Sequence, residues 1–279
     1  MRSNLYKFCR LFKIEKWFFS LGLLFLIFNF LESAEKPFVI VVASYNNEKF
    51  VEKNIGSILA QKYRNFRVVY FDDASTDKTY EKVVSQLRNS YLKTKFRVIS
   101  NARNKGAMHN HYTAISSCKE KEIVVILDGD DWFAHAGVLS YLNQVYQDPH
   151  TWMTWGNYST YPGNNRGLSS KIRNINTIDL RKSPWVTSHL RSFYAGLFHK
   201  IDRQDFCYKG QFLETACDLA EMFPMIEMAR DHAIFIPQIL YIYNDENSLN
   251  DHKTIPLIQT KMTQFIRSKK PYQKLIELF

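Results

Sequence analysis

Cysteine is scarce in this sequence, with four in 279 residues. Cys9, Cys118, Cys207 and Cys217 show neither a CxxC spacing nor the density of a disulfide framework, which excludes zinc ribbons and disulfide-stapled scaffolds. Four separate buried thiols are expected, although Cys207 and Cys217 could bridge if the domain is exported. Glycine, at ten residues, and proline, at eight, are too few for a fibrous or low-complexity chain. Residues 37–50 hold no glycine at all, so a glycine-rich phosphate loop or a GxGxxG dinucleotide site is excluded where the first strand gives way to a loop. No helix-turn-helix, zinc-finger or RNA-binding signature interrupts the chain.

Apolar residues make up 46% of the sequence and aromatics 15%, enough to bury one sizeable core. The net charge of +10 suggests nucleic acid at first sight, but its distribution argues otherwise. Residues 1–16 carry five basic side chains against Glu15, and residues 261–279 carry five against Glu277. Everything between is nearly neutral. Basic ends suit an anionic membrane surface better than a nucleic-acid-reading face.

The basic N-terminus runs into "WFFSLGLLFLIFNFL", residues 17–31, apolar apart from Ser20 and Asn29. This is short for a full membrane span, which needs roughly 20 residues. A basic flank before such a run fits an uncleaved signal-anchor or a secretory signal peptide, with a membrane-surface helix as the plainer alternative. For the first two the positive-inside rule puts the rest of the chain outside the cytoplasm; the other placement is on the cytoplasmic face of the membrane. Residues 1–35 are therefore set apart as a signal or anchor, 36–255 as the main domain and 256–279 as a basic helical tail.

From residue 36 the character changes. "KPFVIVVASYN" is a β-branched run ending in small and polar residues, the pattern of a buried parallel strand entering a loop. A helical face of Phe50, Val51, Ile55, Ile58 and Leu59 follows. "FRVVYFDDAST" predicts a second strand, residues 77–90 a helix capped by Thr76 or Asp77, "FRVIS" a third strand and residues 107–118 a third helix. Strand 122–128 is the fourth. This alternation implies an α/β domain with a mostly parallel sheet sandwiched by helices. Ligands of such sheets bind at the carboxyl ends of the strands, and polar residues gather there: Ser44, Tyr45 and Asn46, then Asp72 and Asp73, then Asn101 to Lys105, then Asp128 to Asp131. The second half is harder to read, beyond a loop at 161–170 and a helix at 216–229 that contains Pro224.

The fourth of these strand ends poses a chemical problem. "IVVILDGDDWF" places Asp128, Asp130 and Asp131 directly after a buried strand. Buried carboxylates are costly without partners, and three together repel. A cation is the natural neutraliser.

"VIVVASYNNEKFVEKNIGSILAQKY", "FDDASTDKT", "NKGA" and "ILDGDDW" resemble, in order and spacing, family 2 glycosyltransferases of the GT-A fold, over about residues 37–145. The resemblance implies a Rossmann-like core and a single transfer from a UDP- or GDP-sugar donor to a hydroxyl of a glycan, lipid or protein acceptor. It implies that Ala43, Ser44, Tyr45, Asn46 and Asp73 surround the donor nucleotide, with Asp128 or Asp130 near the ribose and Lys105 at a phosphate. It further implies that Asp130 and Asp131 bind Mn2+ or Mg2+, with His252 completing the sphere and Lys253 near the diphosphate. Hard divalent cations do take carboxylate oxygens and share them with phosphates.

Members that invert the sugar use a carboxylate base at the start of a late helix. "FLETACDLAEMFPMIEMA" offers Asp218, with Glu221 one turn on as the alternative. Here the chain departs from the usual acidic pair, because Ala216 and Cys217 precede Asp218. His189 and Arg191 fall where the family builds its acceptor region, although a packed core segment explains them nearly as well. "QFIRSKKPY" does not match the QxxRW motif of processive synthases, which implies a non-processive enzyme. The competing reading is a catalytically inactive module that keeps a nucleotide-sugar or carbohydrate pocket; a base facing the acidic cluster would discriminate against it.

Overall fold

A computed structural model describes residues 34–279. The apolar run at 17–31 lies outside the described residues. Among the described residues no helix is long and apolar enough to cross a membrane.

Lys36–Phe279 form one compact unit. Its first half alternates as the sequence predicts: β1 (Phe38–Ser44), α1 (Val51–Leu59), β2 (Phe66–Asp72), α2 (Thr79–Arg88), β3 (Phe96–Ser100), α3 (Ala107–Ser116) and β4 (Ile123–Asp128). Then come β5 (Trp132–Phe133), α4 (Val138–Val145), β6 (Met153–Tyr161), β7 (Ser188–Tyr194), α5 (Ala195–Phe198), β8 (Cys207–Tyr208), β9 (Gln211–Phe212), α6 (Cys217–Ala229), β10 (Ala233–Asn244), α7 (Asp251–Thr254) and α8 (Pro256–Ser268).

Eight strands form one sheet in the order β3-β2-β1-β4-β7-β6-β10-β5. From β3 to β4 all pairs are parallel; β7 then runs antiparallel to both β4 and β6, β10 is parallel to β6, and β5 is antiparallel to β10. The expected parallel sheet is therefore half of a larger mixed one.

Strand alternation divides the core between two faces. Val39, Val41, Val69, Phe71, Val124 and Ile126 point to one side, where they meet Met108 and Ile115 of α3 and most of α6. Ile40, Val42, Val68, Tyr70, Val125 and Leu127 point to the other, against Ile55 and Ile58 of α1, Val83 of α2 and Leu139 and Leu142 of α4. At roughly 1.5–3 kcal/mol for each fully buried large side chain, these two layers dominate the stability.

Residues 256–279 pack on this core and not apart from it. Met262, Ile266 and Leu278 are buried in the α6 layer, and beyond α8 the chain has no regular secondary structure. Arg181 lies behind them, bidentate to Glu227 at 2.7 and 2.8 Å, with the Tyr272 amide on the same carboxylate at 2.9 Å. Cys118, Cys207 and Cys217 are free thiols, so the Cys207–Cys217 bridge that export would permit is not formed.

From β1 the chain builds β2 and β3 on one side and then crosses back to place β4 on the other, which opens a crevice at the carboxyl ends of β1 and β4. Register sets those ends level: Ser44 lies opposite Asp72, and Ala43 opposite Asp128.

Candidate active site

A cleft of about 530 Å3 occupies this crevice. Its first wall is built from the ends of β1 and β2. The Asp73 amide donates to the Ser44 carbonyl at 2.8 Å. The Asp73 carboxylate accepts from the amides of Lys105 (3.0 Å) and Gly106 (2.8 Å) and from the Asn101 side chain (2.7 Å). One buried carboxylate thus shapes the whole 101–106 loop. Asn46 and Ala74 both sit at positive φ, 55° and 60°, where a side chain is strained. The turn at Asn46 is held by its amide to Ser75 Oγ (3.0 Å) and by its Oδ1 accepting from the Thr76 amide (2.8 Å). Tyr45, 40% exposed, stands over the opening.

The acidic turn forms the floor, and Asn54 of α1, fully buried, fixes it from below. Its side-chain amide donates to the carbonyls of Asp128 (2.9 Å) and Asp131 (2.7 Å). Gly129 is required by space: a Cβ there would lie 2.4 Å from Ser44 Cβ and 2.7 Å from Ser44 Cα. Asp131 is buried, and each of its oxygens accepts one hydrogen bond, from the Tyr241 hydroxyl (2.6 Å) and from the Asn244 amide (2.7 Å), which leaves a lone pair on each. Asp130 accepts from the Asn247 side chain at 2.7 Å. Burial, with the neighbouring Asp128 charge, pushes the Asp130 carboxyl up to about 6, and burial with both neighbouring aspartates pushes Asp131 well above the carboxylate range.

Asp128 behaves differently. Burial raises it, but the Arg191 guanidinium more than reverses the effect and keeps it ionised. Arg191 Nη2 lies 3.7 Å and His189 Nδ1 3.8 Å from its oxygens. Burial and Arg191 push His189 down to about 4, so the ring is neutral at physiological pH; it stacks on Tyr241 with centroids 4.4 Å apart. Ligand atoms of Asp128, Asp131 and His189 all lie within 4.8 Å of one another, the one such group of three among the described residues.

The far wall is the start of α6. Ala216, at φ 58°, turns the chain into the helix and presents Asp218 to the cleft. Burial pushes the Asp218 carboxyl up to about 6, against the pull of Arg191. Glu221, one turn on, does not reach the cleft. It is fully buried, accepts from Arg191 Nη1 at 3.5 Å and lies 2.7 Å from His111 Nδ1.

The expected residues therefore divide. Ala43, Tyr45, Asp73, Asp128, Asp130, Asp131, Asp218 and His252 face one cleft. Ser44 and Asn46 hold its backbone from behind, and Lys105 contributes its amide, with its exposed side chain outside the lining. His252 stands apart from the acidic turn, with Nε2 3.6 Å from Asp245 and Nδ1 3.5 Å from the Tyr243 hydroxyl; His189 takes the place beside Asp128 and Asp131. Lys253 is bound back to the Asp245 and Asn247 carbonyls. Asn54, His111, Tyr241, Asn244 and Asn247 were not foreseen. The last three approach the aspartates across more than 100 residues, and no local pattern announces such a pairing.

A Rossmann-like half-sheet extended by a mixed half, with carboxylates crowded at its switch point, defines a GT-A fold. Residues 39–206, more than half of the chain, match the profile of Glycosyl transferase family 2, and the chain belongs to that family. The UDP-Glc:alpha-D-GlcNAc-diphosphoundecaprenol beta-1,3-glucosyltransferase WfgD of Escherichia coli is 31% identical over 97 residues, 34% of this chain and 36% of that protein. An uncharacterized glycosyltransferase of Haemophilus influenzae is 28% identical over 120 residues, 43% of this chain and 46% of that one. The chain spans less than half the length of these curated relatives. Among solved structures, the mannosyltransferase PcManGT of Pyrobaculum calidifontis in complex with GDP-Man and Mn2+ superposes with a TM-score of 0.59 at 20% identity, covering 86% of this chain and 66% of that one. Staphylococcus aureus TarS 1-349 in complex with UDP-GlcNAc superposes with a TM-score of 0.57 at 19% identity, covering 76% and 59%.

Proposed function

We propose that the chain is a metal-dependent glycosyltransferase that moves a single sugar, with inversion, from a UDP- or GDP-sugar to a hydroxyl of a glycan, lipid or protein acceptor. The observation that carries this reading is one cleft in which Asp218 faces Asp128 and Asp130 across the switch point, with Tyr45 and Asp73 at its donor end. The same observation disfavours an inactive binding module, which has no use for a carboxylate base there.

The residues suit a divalent cation. Burial and the neighbouring Asp128 charge raise Asp130 and Asp131, and the neutral His189 ring has no hydrogen-bond partner for its Nδ1 among the described residues. Carboxylate oxygen with one imidazole nitrogen is a donor set for Mn2+ or Mg2+. Asp128, Asp131 and His189 would hold it, with Asp130 at the mouth. When bound, the ion would offset the charge that grows on the leaving diphosphate. Asp218 would take the acceptor hydroxyl's proton as that oxygen attacks the anomeric carbon and the bond to the diphosphate breaks. Arg191 would keep Asp128 ionised throughout. The apolar N-terminal segment would keep the enzyme at a membrane, with the catalytic unit on its non-cytoplasmic side.

A thermal-shift panel of UDP-glucose, UDP-GlcNAc and GDP-mannose with and without Mn2+ tests the reading. One donor at about 100 times its Kd should add about 2.7 kcal/mol to stability. The shift should need Mn2+, reverse with EDTA and vanish in Asp130→Ala. No shift with any donor refutes a donor site.

A further inference from the structure

His111 is an unclaimed group in this cleft. It lies in α3 one turn after Ala107, and both residues line the cavity on the helix face that follows the Asp73-bound loop. The side chain is only 2% exposed. Its Nδ1 lies 2.7 Å from Glu221, and its Nε2 has no protein partner among the described residues.

The chemistry of the pair fixes what Nε2 can do. A carboxylate only accepts, so a ring proton sits on Nδ1; in the neutral tautomer that this selects, the other nitrogen presents a lone pair. Glu221 is itself anchored, with its second oxygen 3.5 Å from the Arg191 guanidinium that also approaches Asp128. Ring orientation is therefore set by a buried chain of charges that ends at the acidic turn. A histidine buried only for packing would leave Nε2 unsatisfied, at a cost of about 1–3 kcal/mol. An acceptor held rigidly at a cleft wall fits a hydroxyl donor in the ligand.

We propose that His111 Nε2 accepts a hydrogen bond from one hydroxyl of the sugar being transferred, with Glu221 as the positioning residue that holds the ring. This rests on the transferase reading of the cleft. The donor side is favoured over the acceptor side because His111 shares its helix with Ala107, and Gly106, which caps that helix, donates its amide to Asp73 at the donor end of the cleft. His111 would thereby help decide which sugar is accepted.

The test is Mn2+-dependent hydrolysis of UDP-glucose, UDP-GlcNAc or GDP-mannose, whichever the full chain cleaves, together with the deoxy analogues of that sugar. His111→Asn keeps a donor near Glu221 but lacks the outer nitrogen, and His111→Gln can place an oxygen near it. His111→Asn should lower kcat/KM about tenfold on the parent donor, and His111→Gln should recover part of that. For one deoxy donor the wild type and His111→Asn should be equal, because the contact is already missing. An even loss across all deoxy donors, no loss at all, or a loss seen only when an acceptor is added overturns the proposal. If instead the wild type cleaves and binds no donor, the transferase reading falls and takes this inference with it.

Discussion

Asp218→Asn separates catalysis from stability in opposite directions. The folded carboxyl titrates at about 6 against an ordinary value of 3.8. A raised pKa means that the neutral acid is the form folding favours. Its contribution is complete below pH 4 and is lost as the pH climbs through 6, so at neutral pH the ionised group weighs against the fold. A shift of this size corresponds to about 3 kcal/mol, and with the cleft open to water we expect about 1–3 kcal/mol. Asparagine has the same shape without the charge. Asp218→Asn should therefore melt higher by several degrees, at about 2–4 °C per kcal/mol for a domain of this size. A missing general base costs about 10²–10⁴ in rate, so the same variant should transfer sugar at least a hundredfold more slowly. Wild-type kcat should fall about tenfold for each unit below pH 6 and level off above it. Asp130 also titrates near 6 in the free protein, but a bound cation would lower it. The residual activity of Asp218→Asn should therefore lose the limb near pH 6. Activity within tenfold of wild type, or an unchanged acid limb in the variant, refutes the role of Asp218 as base.

Two further predictions follow from packing. Gly129→Ala drives a methyl against the Ser44 backbone and should cost about 1–3 kcal/mol, while abolishing the Mn2+-dependent donor shift because the acidic turn moves; a normal shift in a folded variant would show that the turn tolerates displacement. Glu227→Ala leaves Arg181 buried without its bidentate partner and should destabilise by about 3–5 kcal/mol, read as a lower urea midpoint, whereas replacing the pair with apolar residues of similar volume should restore much of it.

How much of this was legible depends on how local each cause is. β1, β2 and β4 are runs of β-branched, aliphatic and aromatic residues buried on both faces, so their signal is strong and their polar ends stand out. The three helices read at 77–90, 107–118 and 216–229 each lie within two residues of α2, α3 and α6. Pro224 did not mislead, because the surrounding apolar face and its burial against the sheet outweigh one missing hydrogen bond. The mixed half was illegible for the converse reason. β6, "MTWGNYSTY", is polar along its outer half, and β10 carries Pro237 and a register shift, so neither shows a clean period.

The site divides along the same line. Aspartates at strand ends announce themselves because a carboxylate after a buried run demands a partner, but the sequence does not say which partner. Three answers proved to be long-range: Tyr241 and Asn244 on Asp131, Asn247 on Asp130, and Arg191 on Asp128. Each aspartate thereby meets a different balance of burial, neighbouring charge and hydrogen-bond donors. Asp128 is held ionised by a cationic side chain, Asp131 is satisfied by neutral donors and pushed toward its acid form, and Asp130 lies between. Three chemically identical residues within four positions can then do different work only because β7 and β10 return to the end of β4, which makes the mixed half of the sheet as necessary to the cleft as the parallel half. On this argument, substitutions at Tyr241 or Asn247 should impair donor binding as surely as substitutions in the acidic turn itself.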